Sequence, residues 1–141
     1  MEKLGFTEIF VNEFATGYIH ETDKIIACVL TADYVPITRF KQIFEMLADE
    51  IKSGDYNKFV FDKSHLRTFH QPSMKWYFTE WKTEMINYGL NRHFKVLPKL
   101  DYFRKAVEAA RKPLLAKYPK ETLDKIRIEY FESVEDAVSA D

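Results

Sequence analysis

Hydrophobic positions along the chain follow two rhythms in turn. Phe6 to Val11, Thr16 to His20 and Lys24 to Thr31 are rich in β-branched and aromatic residues, with Glu21-Thr22-Asp23 as polar turn residues between the last two. Such runs predict three strands. The third is apolar at nearly every position, the pattern of a strand buried on both faces of a helix-covered sheet. The rhythm then changes: Phe40, Ile43, Phe44, Leu47 and Ile51 form one stripe of a 3.6-residue repeat, a helix that Thr38 is placed to cap and Gly54 to end. Lys58 to Asp62 reads as a short strand. A second helix follows the segment Lys63 to Pro72, with Ser73 as N-cap, Gly89 just past its end, and Met74, Tyr77, Phe78, Trp81, Met85 and Tyr88 as its apolar stripe.

His93 to Leu97 predicts another strand, with Phe94 and Val96 on one face and Pro98 against its continuation. A third helix starts near Asp101, turns Phe103, Ala106, Val107 and Ala110 inward, and is kinked or ended by Pro113. Lys125 to Tyr130 alternates as a strand with one wet face near a sheet edge. Ser133, as N-cap with Asp136 as its capping-box partner, opens a short terminal helix. Strands alternating with helices predict an α/β domain whose mainly parallel sheet is connected by right-handed crossovers. No repeat, low-complexity tract or linker divides the 141 residues, so one domain over 1–141 is expected.

Composition narrows the function classes. No apolar run approaches the roughly 18 residues of a membrane span, and Met1-Glu2-Lys3-Leu4-Gly5 lacks a signal-peptide stretch, so no membrane span and a cytoplasmic location are expected. The single cysteine, Cys28, lies in an apolar strand and is expected to be a small buried side chain. The net charge of −1 conceals a division: residues 90–127 hold eleven Lys and Arg against four Asp and Glu, and the remainder ten against eighteen. Such asymmetry suits an anionic partner, or pairing of the two regions within a monomer or across a homodimer. No nucleic-acid motif accompanies the basic segment, and nucleic acid is not an expected partner.

The element order, together with Phe59-Val60-Phe61-Asp62-Lys63-Ser64 and the closing Tyr130-Phe131-Glu132-Ser133-Val134-Glu135-Asp136-Ala137, resembles the STAS domain of bacterial anti-sigma-factor antagonists over about residues 14–139. The closing segment is similar to a STAS-like bacterial branch sometimes grouped with the CRAL-TRIO lipid-transfer domains. The resemblance implies a mixed, mainly parallel sheet covered by helices in the order β-β-α-β-α-β-α-β-α, here with an extra N-terminal strand. It also implies a regulatory protein-binding module in which Ser64, at the end of its strand, is the position phosphorylated to release a partner. His65 stands where that family has a glycine, and Leu66 to Pro72 delays the next helix.

Polar and aromatic residues gather in the segment after the Lys58–Asp62 strand, where open α/β sheets place binding crevices. Asp62, Ser64, His65, Arg67 and His70 are the expected binding-loop residues. Ser64 with either histidine lacks the Gly-x-Ser-x-Gly elbow of α/β hydrolases, and His65 and His70 match no metal-ligand spacing. His20 and His93 fall in strand patterns and are given no role. With four scattered glycines and no phosphate-binding fingerprint, neither catalytic residues nor a cofactor are expected. Trp76 falls nearly opposite the stripe of its helix and is expected to be exposed, an interface anchor. Three functions remain open: docking of a protein partner or a second copy through this loop and Trp76; carriage of a lipid or other small anionic ligand in an apolar pocket, its head met by Arg67, Arg104 and Lys105; and, least favoured, an enzyme outside any recognised motif, which the histidine-bearing loop keeps open.

Overall fold

The computed structural model describes residues 1–141. A 3₁₀ turn at Glu2–Leu4 leads into β1 (Thr7–Val11), β2 (Ala15–His20) and β3 (Ile25–Leu30), followed by α1 (Ile37–Ser53) and β4 (Lys58–Asp62). The next helical run comprises α2 (Gln71–Trp76), a π-helical segment (Tyr77–Trp81) and α3 (Lys82–Ile86). The chain continues through β5 (Arg92–Val96), α4 (Asp101–Ala116), α5 (Lys120–Lys125), β6 (Arg127–Phe131) and α6 (Val134–Ser139).

The six strands lie side by side in chain order. β1, β2 and β3 pair antiparallel, and β3, β4, β5 and β6 pair parallel, giving a mixed α/β sheet. Parallel neighbours in chain order, joined by right-handed crossovers, place every crossover helix on the same face. That face carries the main core, 26 buried residues from β2 to β4 and the crossover helices. The opposite face holds six, among them Phe6, Val60, Phe94 and Ala137, beneath α6 and the N-terminal turn. The larger face is therefore where buried chemistry has room to sit.

β3 is buried almost throughout, as an apolar strand covered on both sides must be. Between β1 and β2 the ring of Phe10 lies directly on Gly17, and a Cβ at that position would overlap it. Helix ends differ from the pattern in the sequence. α1 starts at Ile37 behind Pro36 with no side-chain cap, so Thr38 is inside the helix and not before it. α2 starts two residues earlier than Ser73, because His70 is its N-cap and Pro72 fits the first turn, where no N–H is needed. Pro113 lies within α4, which runs on to Ala116. Ser133 does cap α6, its Oγ accepting from the Asp136 N–H at 3.1 Å. Both sheet edges, β1 and β6, are outermost, as the alternation of the last strand predicts for β6.

The π segment has a local cause and a wide effect. Buried residues in this run recur at every fourth position: Ser73, Tyr77, Trp81 and Met85, and beside them Met74, Phe78 and Lys82. An α-helix turns about 100° per residue, so a four-residue step overshoots by roughly 40° and the two rows would wind off the core. One wider turn cancels that drift. The Phe78 carbonyl accepts a hydrogen bond from the Tyr118 hydroxyl, and Trp81 Nε1 donates to Phe44 O of α1 at 2.8 Å. Trp76 is correspondingly not exposed: half-buried, it stands edge-on to Phe40 and Phe44, with ring centroids 6.1 and 6.4 Å away.

Candidate functional site

Beyond the carboxyl end of β4 the chain folds back on itself as a tied loop. Lys63 N–H donates to Val96 O of β5, Leu66 N–H to Lys63 O, and Arg67 N–H to Asp33 O. Asp62 Oδ1 accepts from Ser64 N–H at 2.9 Å, closing an Asx turn. Alternation along β4 continues into this loop, so Lys63 follows Phe59 and Phe61 onto the helix-covered face. There a cleft of about 50 Å³ opens between the ends of β3 and β4, the start of α2 and Phe103 of α4. Apolar rings and aliphatic chains make its walls, while Lys63, Thr68, His70 and Ser73 bring the polar groups.

His70 is held in place: its Nδ1 accepts from Ser73 N–H at 3.3 Å and lies 2.8 Å from Ser73 Oγ, and its ring meets Tyr34 edge-on. Lys63 differs. Its side chain is buried with no carboxylate in reach, its Nζ lies 5.2 Å from the Phe61 centroid, and burial lowers its pKa to about 8. Lys58 shows what a satisfied buried lysine looks like here: its Nζ donates to Ala137 O, Val138 O and Ala140 O at 3.0, 3.0 and 2.6 Å, clasping the end of α6. Lys63 has no such acceptors, and it presents its amine to the cleft.

Of the residues expected from sequence, the structure brings Ser64, His65, Arg67 and His70 to one loop, but only His70 lines the cleft. Asp62 shapes the turn and Ser64 is half-buried within it. His65 is exposed. Arg67 turns its Nη1 onto the carbonyls of Ser64, His65 and Leu66 at 3.3, 3.2 and 3.1 Å, and the Tyr102 hydroxyl donates to Arg67 O at 2.6 Å. Arg104 donates to Pro98 O and lies 3.8 Å from Glu132, while Lys105 is exposed on α4. The basic residues expected to meet a ligand head therefore do not converge, and the basic side chain that lines the cleft is Lys63, between Asp62 and Ser64. The signal for it was its parity with Phe59 and Phe61.

Tyr77 forms the inner wall of the cleft, and behind it lies a second group of polar atoms. Lys82 of α3 and Lys95 of β5 are fully buried. Their amines lie 4.8 and 4.7 Å from the Tyr77 ring centroid and 3.9 and 4.2 Å from that of Phe78. Neither amine has a hydrogen-bond partner, nor do the hydroxyls of Tyr77 and Tyr130 or Nδ1 of His93. Desolvation holds both lysines well below the usual lysine range, and their mutual repulsion lowers Lys95 further. His93, whose Nε2 is 2.7 Å from Leu90 O, is pushed down by burial and then by Lys82. Burial raises the Tyr77 phenol well above its ordinary value.

Elsewhere, only Lys99, Arg104 and Arg127 of the basic segment 90–127 find carboxylates, on Glu132 and Glu129. Cys28 is fully buried, and burial, then Asp62, pushes its thiol far up. No group of three or more His, Cys, Asp or Glu is arranged to hold a metal, and no helix is long and apolar enough to cross a membrane. An apolar cleft with one unpaired amine is equipped to hold an anionic group on an apolar body, and no family model, curated protein or solved structure matches the chain to supply another reading.

Proposed function

We propose that this chain is a non-enzymatic, STAS-like binding module whose cleft takes a small monocarboxylate, either a free metabolite or a carboxylate group of a partner. The observation that carries the reading is Lys63: a lysine only 8% exposed, its amine without a hydrogen-bond partner in the protein, lining an apolar cleft at the carboxyl end of parallel strands. Binding sites of open α/β sheets occupy that end. A carboxylate there would supply the acceptor the amine lacks and restore its charged form. The resemblance is supported by the element order, four parallel strands laid down in sequence after an antiparallel start. Size sets the ligand class: a water-sized group needs about 15 Å³ of such space, so about 50 Å³ holds only a few, and a long acyl chain does not fit this cleft.

Titration with acetate and propionate, followed by amide chemical shifts, tests the reading. Expected are saturable shifts around Lys63, Phe69 and Ser73 in the wild type and their loss in Lys63→Met. The absence of shifts, or equal shifts in the variant, refutes it.

A second reading, docking of a protein partner or a second copy on the Asp62 to Ser73 loop, draws support from Tyr34 and Tyr102. They are 42% and 58% exposed, one lining the cleft and the other bonded to the loop. Exposed tyrosines beside a pocket are common interface anchors. Native mass spectrometry of the wild type and of Tyr102→Ala tests it: a bound chain lost in the variant supports docking, and a monomer in both refutes it.

A further inference from the structure

Lys82 and Lys95 form the densest unpaired charge in the molecule, and the monocarboxylate cleft does not account for it, because Tyr77 stands between. Lys82 reaches in from α3 and Lys95 from the middle of β5, so two separate elements aim their amines at one spot over the Phe78 ring. Both side chains are at most 1% exposed. Two tyrosine rings adjoin the amines: Tyr77, whose centroid lies 4.8 and 4.7 Å from them, and Tyr130 of β6, whose centroid is 6.0 Å from Lys95 Nζ. No carboxylate is hydrogen-bonded to any of them, and every group except His93 Nδ1 can donate. His93 Nε2 donates to Leu90 O, which leaves its Nδ1 as an acceptor beside the hydroxyl oxygens. With both lysines as ammonium groups the donors outnumber the acceptors, and buried polar groups in folded proteins are paired.

We propose that Lys82 and Lys95, with the Tyr77 and Tyr130 hydroxyls, form a buried binding site for one small monovalent anion of the halide class. A monatomic ion carries a single negative charge that offsets the like charges of the two amines without requiring a fixed geometry of its own. Cation–π contact with Tyr77 and Phe78 holds the amines in place beneath it. Other titratable neighbours act in the same direction: Lys63 and Arg111 add positive potential from the β4 end and from α4, and no carboxylate opposes them. Because an anion favours the ammonium forms, its binding takes up protons, and its affinity falls as pH rises.

Crystals of the full chain exchanged into sodium bromide, with data collected at the bromine absorption edge, test this directly. The expected result is an anomalous peak within hydrogen-bond distance of both Nζ atoms. In solution, replacing gluconate by chloride or bromide at fixed ionic strength should raise the thermal midpoint of the wild type by a few degrees, and Lys82→Met/Lys95→Met should abolish that rise. A peak without anomalous signal, which is a water, or a midpoint that follows ionic strength but not anion identity, overturns the proposal. Should the double variant not fold, the bromide peak in the wild type decides alone. Neither readout involves the Lys63 cleft, so failure here leaves the carboxylate reading standing, and the reverse also holds.

Discussion

Replacing Lys63 by Met should make the protein more stable while removing its ability to bind a carboxylate. The ammonium is favoured in water with a pKa of 10.5 and is held to about 8 in the cleft. At about 1.4 kcal/mol per pH unit, that gap costs the folded state roughly 3 kcal/mol. Between about pH 8 and 10.5 the unfolded chain binds more protons than the folded one, so wild-type stability rises with pH across that window. The cost is present in full below about pH 8 and absent above 10.5. Met keeps the length and apolar stem of the side chain without the charge. Urea unfolding of both proteins at pH 7 and pH 10 measures the effect: an advantage for the variant of roughly 3 kcal/mol at pH 7 should shrink to under about 1 kcal/mol at pH 10. Contributions from the other buried lysines are common to both proteins and cancel in the difference. A variant less stable than the wild type at pH 7, or an advantage that does not change with pH, would refute the description of Lys63 as an unpaired buried cation.

Three further outcomes are expected. Trp76→Ala should cost roughly 2 kcal/mol in urea unfolding, about half the usual range for a buried Trp, because its ring is half-buried against Phe40 and Phe44; a cost below about 0.5 kcal/mol would mean that the ring contributes nothing to the α1–α2 contact. Cys28 should not react with an aromatic disulfide reagent at pH 8 in the native state and should react at once in urea; rapid native labelling would contradict its burial. Ser64→Asp places a second carboxylate two residues from Asp62 beside the cleft and should weaken propionate binding several-fold, most at low salt, whereas unchanged affinity would separate Ser64 from the site.

Much of the architecture is readable from periodicity. The apolar run of β3 and the stripe of α1 announce themselves, and β4 falls at the residues its pattern predicts. What resisted reading is where two rules compete. A 3.6-residue wheel puts Trp76 on the outer face, but the run from Ser73 to Met85 buries every fourth residue and absorbs the difference in a π turn, which turns the Trp76 ring onto α1 and carries Lys82 inward. Lys95 stands between Phe94 and Val96 in a strand covered on both faces, so one side of the alternation had to bury a charge. α5 left no trace, having no buried residue to set a period. The loop singled out in the sequence lies beside the cleft, yet its basic and hydroxyl residues are largely occupied by backbone groups, and the amine that meets the cleft is the one whose alternation with Phe59 and Phe61 outweighed its polarity.

Strand order that follows chain order has a kinetic meaning. Each strand of this sheet pairs with the one before it in sequence, and no pairing waits for a distant segment to return. Loop closures stay short, and the entropic barrier to each addition is that of a single hairpin or one βα unit. The sheet can therefore grow from β1 towards β6 as a chain emerges from the ribosome, every new strand finding its template already in place. The last steps are the pairing of β6 and the clasp of Lys58 on the carbonyls of α6, so the smaller core remains open until synthesis has passed residue 140, and a stalled chain would expose that face to chaperones rather than the one that carries the cleft.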